Sequence, residues 1–266
     1  MIMDNQTVLI AFTLTFIAGI STGIGSLIAF VAKRTNTNFL SFALGLSAGV
    51  MIYVSFMEML PTSLESLSDE FGEKKGMLYM IFGLFGGIGL IGLIDFLVPK
   101  AQNPHEMHGV EEMRSNHRLK HTGIITAITI AIHNFPEGIA TFMSALTSLE
   151  IAIPITAAIA IHNIPEGIAV AVPIYHATGS KKKAFWLSFA SGLAEPLGAL
   201  IAYLFLMPFW SPVLNAIILA AVAGIMIYIS LDELLPSAEK YGKHHLSIIG
   251  LVLGMAIMAF SLFLFI

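Results

Sequence analysis

Long apolar runs broken by short polar gaps dominate this chain. Eight stretches hold roughly 20 or more mostly apolar residues, the length a helix needs to cross a bilayer. They cover about 7–32, 39–61, 77–98, 122–146, 151–175, 184–207, 213–236 and 246–266. The runs are continuously apolar, whereas a transmembrane β-barrel shows alternation over segments of about ten residues. The pattern therefore predicts an all-α polytopic membrane protein with eight transmembrane helices. It forms one transmembrane domain over residues 1–266, with a polar loop at about 99–121.

Composition agrees with this reading. Apolar residues make up 56% and charged residues 11% of the 266, and the net charge is −4. Mean hydropathy is +0.85. A soluble domain carries about 25% charged residues, so a soluble enzyme, a disordered tail and a nucleic-acid binder are all excluded. The absence of cysteine removes disulfides, thiolate metal sites and a cysteine nucleophile. The opening Met1-Ile2-Met3-Asp4 lacks the basic region of a cleavable signal peptide.

Lys and Arg set the orientation, because cytoplasmic loops collect them. With both termini outside, the inner loops hold Lys33, Arg34, Lys100, Arg114, Arg118, Lys120, Lys181, Lys182, Lys183, Lys240 and Lys243. The outer loops hold Lys74 and Lys75. The expected location is thus the cytoplasmic membrane, with the 99–121 loop inside. That loop carries His105, His108, His117 and His121. It reads as a polar linker or as a weak metal-collecting segment.

Two internal repeats stand out. Residues 51–61 read MIYVSFMEMLP and residues 226–236 read MIYISLDELLP, identical at seven of eleven positions. They fall on spans two and seven, which cross in opposite directions, as inverted-topology repeats of secondary transporters do. Residues 131–140 read AIHNFPEGIA and 160–169 read AIHNIPEGIA, mid-span in helices four and five.

The second repeat carries the chemistry. An ionisable group at the bilayer centre costs about 3 kcal/mol on insertion scales. Glu58, Asp95, Glu137, Glu166, Glu195, Asp232 and Glu233 nevertheless lie within spans, and no Lys or Arg lies deep in any of them. These carboxylates must take up protons, reach water or hold a cation from solution. His133, Asn134 and Glu137 share one helix face through i, i+3 and i, i+4 spacing, and His162, Asn163 and Glu166 repeat that face. Pro136 and Pro165 free the carbonyls of Ile132 and Ile161, and Pro196 frees that of Gly192 beside Glu195. A donor set of imidazole, carboxylate and amide oxygen without thiolate suits Zn(II), Fe(II), Co(II) and Mn(II), and argues against a dedicated Cu(I) site.

Several weaker signals remain. Glu58, Asp232 and Glu233 sit near the ends of spans two and seven, and read either as an entrance-and-exit relay or as interfacial carboxylates reaching water. The stretch Gly87-Ile-Gly-Leu-Ile-Gly92 matches a dinucleotide fingerprint but lies inside a span rather than after a strand, so it reads as helix packing. Gly19 with Gly23, Gly45 with Gly49, and Gly250 with Gly254 read the same way.

At HNFPEG 133–138, HNIPEG 162–167, SGLAEP 191–196 and ISLDELLP 229–236 the chain resembles the Zrt/Irt-like (ZIP) divalent-metal transporters, most closely their bacterial branch. The resemblance implies inverted repeats of spans one to three and six to eight around spans four and five. It implies a metal site, sometimes binuclear, at His133, Asn134, Glu137, His162, Asn163, Glu166 and Glu195, and homodimers are common in the family. Eukaryotic relatives often carry an Asp and a His-Glu-x-x-His arrangement across the two motifs. The more oxygen-rich pair here implies broader selectivity.

The expected function is uptake of divalent metal ions, chiefly Zn(II) with Fe(II), Mn(II) and Co(II), as transported ions rather than a prosthetic group. The expected partners are these ions and the lipid bilayer, with no nucleic acid or nucleotide. A potential of 100 mV, negative inside, favours inward movement of a dication by about 4.6 kcal/mol. The main alternative is an intramembrane metal-dependent hydrolase, which needs three metal ligands, an open position and a general base. A metal sensor without transport is a third class, opposed by the lack of an output domain.

Overall fold

The computed structural model describes residues 4–31, 37–97, 116–241 and 244–265. Among the described residues every regular element is helical. In a bilayer this is the backbone's only open-ended solution, since each N–H and C=O must be satisfied within its own segment. Helix α1 covers Asn5–Val31. Helix α2, Thr37–Val54, passes through a wide π turn at Ser55–Met59 into α3, Leu60–Phe71. Helix α4 covers Glu73–Leu97, α5 Asn116–Thr147 and α6 Leu149–Thr178. The sixth span is divided into α7, Lys181–Gly192, and α8, Ala194–Ile201, which ends in a π turn at Ala202–Leu206. Helix α9, Pro212–Ile229, passes through a π turn at Ser230–Leu234 into α10, Leu235–Tyr241, and α11 covers His244–Phe265.

All eight expected spans fall on helix, with shifted ends. Span two continues past Pro61 to Phe71, and span four begins at Asn116. His117 and His121 therefore belong to the start of α5 rather than to a linker, while His105 and His108 lie outside the described residues. Among the described residues seven helical stretches are long and apolar enough to cross a membrane. The remaining span, α5, has its apolar run interrupted by His133, Asn134, Pro136 and Glu137.

The π turns at Ser55–Met59 and Ser230–Leu234 occupy equivalent places in the 51–61 and 226–236 repeat. In both, the residue before proline reaches five residues back: Leu60 N–H donates to the Ser55 carbonyl and Leu235 N–H to the Ser230 carbonyl. The wider turn makes room where a proline ring would otherwise strike the carbonyl four residues earlier. Ser55 and Ser230 also donate their hydroxyls to Met51 and Met226 carbonyls, each at 2.7 Å.

Packing follows a two-fold exchange of spans one to three with six to eight. Helix α1 packs on α6 as α8 packs on α5. Helix α2 packs on α11 and α6, and its counterpart α9 packs on α4 and α5. Glycines show the exchange residue by residue. A Cβ at Gly49 would run into the Leu251 carbonyl, and one at its counterpart Gly224 into the Leu84 carbonyl. A Cβ at Gly254 would meet Leu46 and one at Gly250 Phe42, while one at Gly87 would meet Ala221 and one at Gly83 would lie 3.2 Å from the Ile217 carbonyl. Each contact has its mate in the other half. Small residues here let backbones touch, which drives helix association where lipid removes the hydrophobic effect. The dinucleotide-like glycines Gly87 and Gly92 lie inside α4, against Ala221 and Tyr228, as helix packing requires.

The interior is apolar around the centre: Met51, Ile155, Ile159 and Met226 are fully buried in one cluster. Large apolar side chains also point outward, among them Phe82, Phe85 and Phe96 on α4 and Phe260 and Phe263 on α11. A bilayer supplies the apolar partner such a surface lacks in water.

Candidate metal centre

Helices α5 and α6 are joined through Ser148 alone, so they run antiparallel and side by side. The Ser148 side chain caps α6 by accepting from the Glu150 N–H at 3.1 Å. This tight hairpin brings the two His-Asn-x-Pro-Glu motifs to one depth. Both helices continue through their prolines, Pro136 and Pro165. Span six behaves differently: it breaks at Leu193 and restarts at Ala194. Pro196 then sits in the first turn of α8, where its missing N–H has no intrahelical use. The freed Gly192 carbonyl lies against α1, close enough that a Cβ at Gly19 would meet it.

The structure brings all seven expected ligands together and buries them. His133, Asn134, Glu137, His162, Asn163, Glu166 and Glu195 are each at most 3% exposed. His162 Nε2 lies 3.2 Å from Glu137 Oε2, linking the two motifs across the hairpin. Asn163 Nδ2 donates to Glu195 Oε1 in a short contact and to the Ala18 carbonyl at 3.0 Å. Asn134 Nδ2 donates to the Ser191 carbonyl at 3.4 Å. The amide planes are thus fixed by backbone of α1 and α7, and both amide oxygens are left free. Asn134 Oδ1, Asn163 Oδ1, Glu166 Oε2 and Glu195 Oε2 are all buried without a hydrogen-bond partner.

Electrostatics gives these free acceptors meaning. Glu137, Glu166 and Glu195 repel one another within the buried centre. Among the described residues no Lys or Arg is buried. A like-charged cluster in a low-dielectric interior costs several kcal/mol per uncompensated ion, which a bound cation or protons must offset. Among the described residues no three His, Asp or Glu side chains already form a metal cage. The side chains are instead paired with one another, His162 with Glu137 and Asn163 with Glu195.

The expected relay carboxylates separate. Glu233, placed by sequence near the inner end of span seven, lies 3.4 Å from His133 Nδ1 through its Oε2, with its side chain 11% exposed. It therefore adjoins the centre rather than the helix end, because α9 and α10 continue past it to Tyr241 and the π turn at Ser230–Leu234 rotates it inward. Its neighbour Asp232 is exposed. Glu58, the counterpart of Glu233 on span two, is only partly buried. Sequence reasoning missed the backbone carbonyls of Ala18 and Ser191, which hold the two asparagines. Spans one and six share too few residues for their correspondence to be seen without packing.

Comparison with known proteins agrees over the full length. A family model described as ZIP Zinc transporter matches residues 97–262. A zinc transporter ZupT of Streptococcus mutans is 59% identical over 263 residues, covering 98% of this chain and all of the relative. A zinc transporter ZupT of Clostridium perfringens is 55% identical over 281 residues, and one of Nitratidesulfovibrio vulgaris 52% over 275, each covering 99% of both chains. Members of this family are carriers rather than enzymes, which sets aside the hydrolase alternative. With its helices paired by inverted exchange around two His-Asn-x-Pro-Glu motifs, this chain belongs to the ZIP zinc transporter family.

Proposed function

We propose that the chain is a secondary carrier that takes up Zn(II), and also Fe(II), Mn(II) and Co(II), into the cytosol across the cytoplasmic membrane, with both termini outside. The observation that carries this reading is the buried centre: seven imidazole, amide and carboxylate side chains from α5, α6 and α8 without a buried cation among the described residues. His133, Asn134, Glu137, His162, Asn163, Glu166 and Glu195 hold the ion, and Glu233 receives it from His133 on the cytosolic side. Oxygen donors predominate, which broadens selectivity among borderline divalent ions. Neutral amide ligands keep binding weak enough for release, as a pathway site requires. The membrane potential supplies the drive for a dication, at about 2.3 kcal/mol per charge per 100 mV. Relatives named as zinc transporters at 52–59% identity support zinc as the principal ion.

The test is uptake of radiolabelled Zn(II) into proteoliposomes by the wild type, Glu137→Ala and Glu166→Ala, with Fe(II), Mn(II) and Co(II) as competitors. Saturable uptake lost in both variants is expected. Competition by all three metals is expected too, and uptake of zinc that none of them slows would overturn the broad selectivity. Unchanged zinc uptake in both variants would overturn the centre itself.

A further inference from the structure

The exchange relating the two halves carries His133, Asn134 and Glu137 onto His162, Asn163 and Glu166. It also carries Thr22 of α1 onto Glu195 of α8. Backbone packing fixes this correspondence. Gly138 lies against the Glu195 carbonyl, and Gly167 lies against the Thr22 carbonyl. Asn134 donates to the Ser191 carbonyl, and Asn163 donates to that of Ala18. Position 22 thus holds, in its half, the place that a carboxylate ligand holds in the other.

The Thr22 side chain is wholly buried, and its Oγ1 has no partner. Thr13, Thr15, Thr156 and Thr178 satisfy themselves on the carbonyl four residues back, whereas Thr22 and, on α5, Thr141 do not. Thr22 is denied that bond. Its natural acceptor is the Ala18 carbonyl, which besides its helical N–H already accepts from Ser21 Oγ at 2.5 Å and Asn163 Nδ2 at 3.0 Å. The hydroxyl is left beside Gly192, where a Cβ would lie 2.9 Å from Oγ1. Ser191, the next residue, anchors Asn134, whose Oδ1 is likewise buried without a partner. A buried unpaired oxygen costs about 1–3 kcal/mol, and two of them flank one corner of the centre.

We propose that Thr22 Oγ1 and Asn134 Oδ1 form a neutral oxygen pair that binds the transported divalent ion opposite Glu195 and Asn163. The inference rests on the carrier reading above and adds a ligand that reading lacks. The Glu195 carboxylate then meets the ion on one side of the centre, and a neutral hydroxyl takes the equivalent place on the other. The neutral pair contributes coordination without adding charge, so the ion is bound and still released.

The experiment measures zinc affinity of the purified full-length protein by equilibrium dialysis, together with KM and Vmax of uptake in proteoliposomes. Thr22→Val removes the hydroxyl at constant shape, and should weaken zinc affinity and raise KM about 10-fold. Thr22→Ser should restore both. Thr22→Asp should tighten binding and lower Vmax about 10-fold, because a neutral ligand becomes a charged one. Thr15→Val, which removes an equally buried hydroxyl already bonded to the Ala11 carbonyl, should leave both unchanged. The proposal is overturned if Thr22→Val binds and carries zinc as the wild type does. It is also overturned if Thr22→Ser is as impaired as Thr22→Val, or if Thr15→Val matches them. Should Thr22→Val fail to fold, Thr22→Ser and Thr22→Asp decide alone: wild-type affinity in both rejects the pair. Loss of uptake in Glu137→Ala alongside a silent Thr22→Val rejects only the neutral pair, whereas full uptake in Glu137→Ala rejects the carrier site beneath it.

Discussion

Helices α5 and α6 carry nearly the same ten residues, yet their histidines have different partners. His133 of α5 faces Glu233 of span seven, while His162 of α6 faces Glu137 of its neighbour. Glu58, which the exchange would bring to His162, stays partly exposed on span two. The asparagines likewise share a backbone anchor but not a side-chain partner: Asn163 also holds Glu195, and in the other half that place belongs to Thr22. A duplicated motif therefore does not make a duplicated site. The identical residues supply matching donor sets, and the unlike residues on spans one, two, six and seven make their surroundings differ.

The largest effect should be one the two halves share. Gly138→Val and Gly167→Val each drive a side chain into facing backbone, of Glu195 and Thr22 respectively. Backbone cannot step aside, so both should lose about 3 kcal/mol or more, seen as collapse of the melting temperature in detergent. A tolerated valine at one position would show that the close approach belongs to one half alone.

Function should then part the halves. Glu195→Gln removes a buried carboxylate held by Asn163, and zinc uptake should fall about 100-fold with folding retained. Glu233→Gln should reduce uptake about 10-fold through its contact with His133. Glu58→Gln, partly exposed and set back from His162, should change it by about 2-fold or less. Equal losses in Glu58→Gln and Glu233→Gln would mean that both carboxylates reach their histidines during the cycle.

The smallest effect returns to symmetry. Ser55→Ala and Ser230→Ala each remove a bond to a carbonyl beside a π turn. Each should cost about 0.6 kcal/mol, the average for a hydrogen bond within a membrane protein. Matched shifts in thermal melting would show that the two turns are mechanically equivalent.

Much of this protein could be read before any coordinates. Apolar length specified eight helices, because lipid leaves a spanning backbone no other choice. Paired glycines four apart marked helix seams, and Gly45, Gly49, Gly250 and Gly254 all meet opposing backbone. The unneutralised carboxylates and the doubled His-Asn-x-Pro-Glu unit picked out seven polar side chains that the structure buries, because residue type and i, i+4 spacing are local properties. Helix ends were less legible: Pro61 and Pro236 looked like stops, but a π turn absorbs each and the helix goes on.

Residue types and their spacing along each helix thus set the fold class, the donor chemistry and the identity of seven buried side chains. The tertiary structure alone decided which side chains meet across helices. It turned Glu233 but not Asp232 toward His133, assigned Ala18 and Ser191 to hold the asparagines, and put Thr22 where symmetry would call for a second Glu195. Such pairings join residues far apart in the chain, through helix rotation and backbone contact that no local spacing encodes.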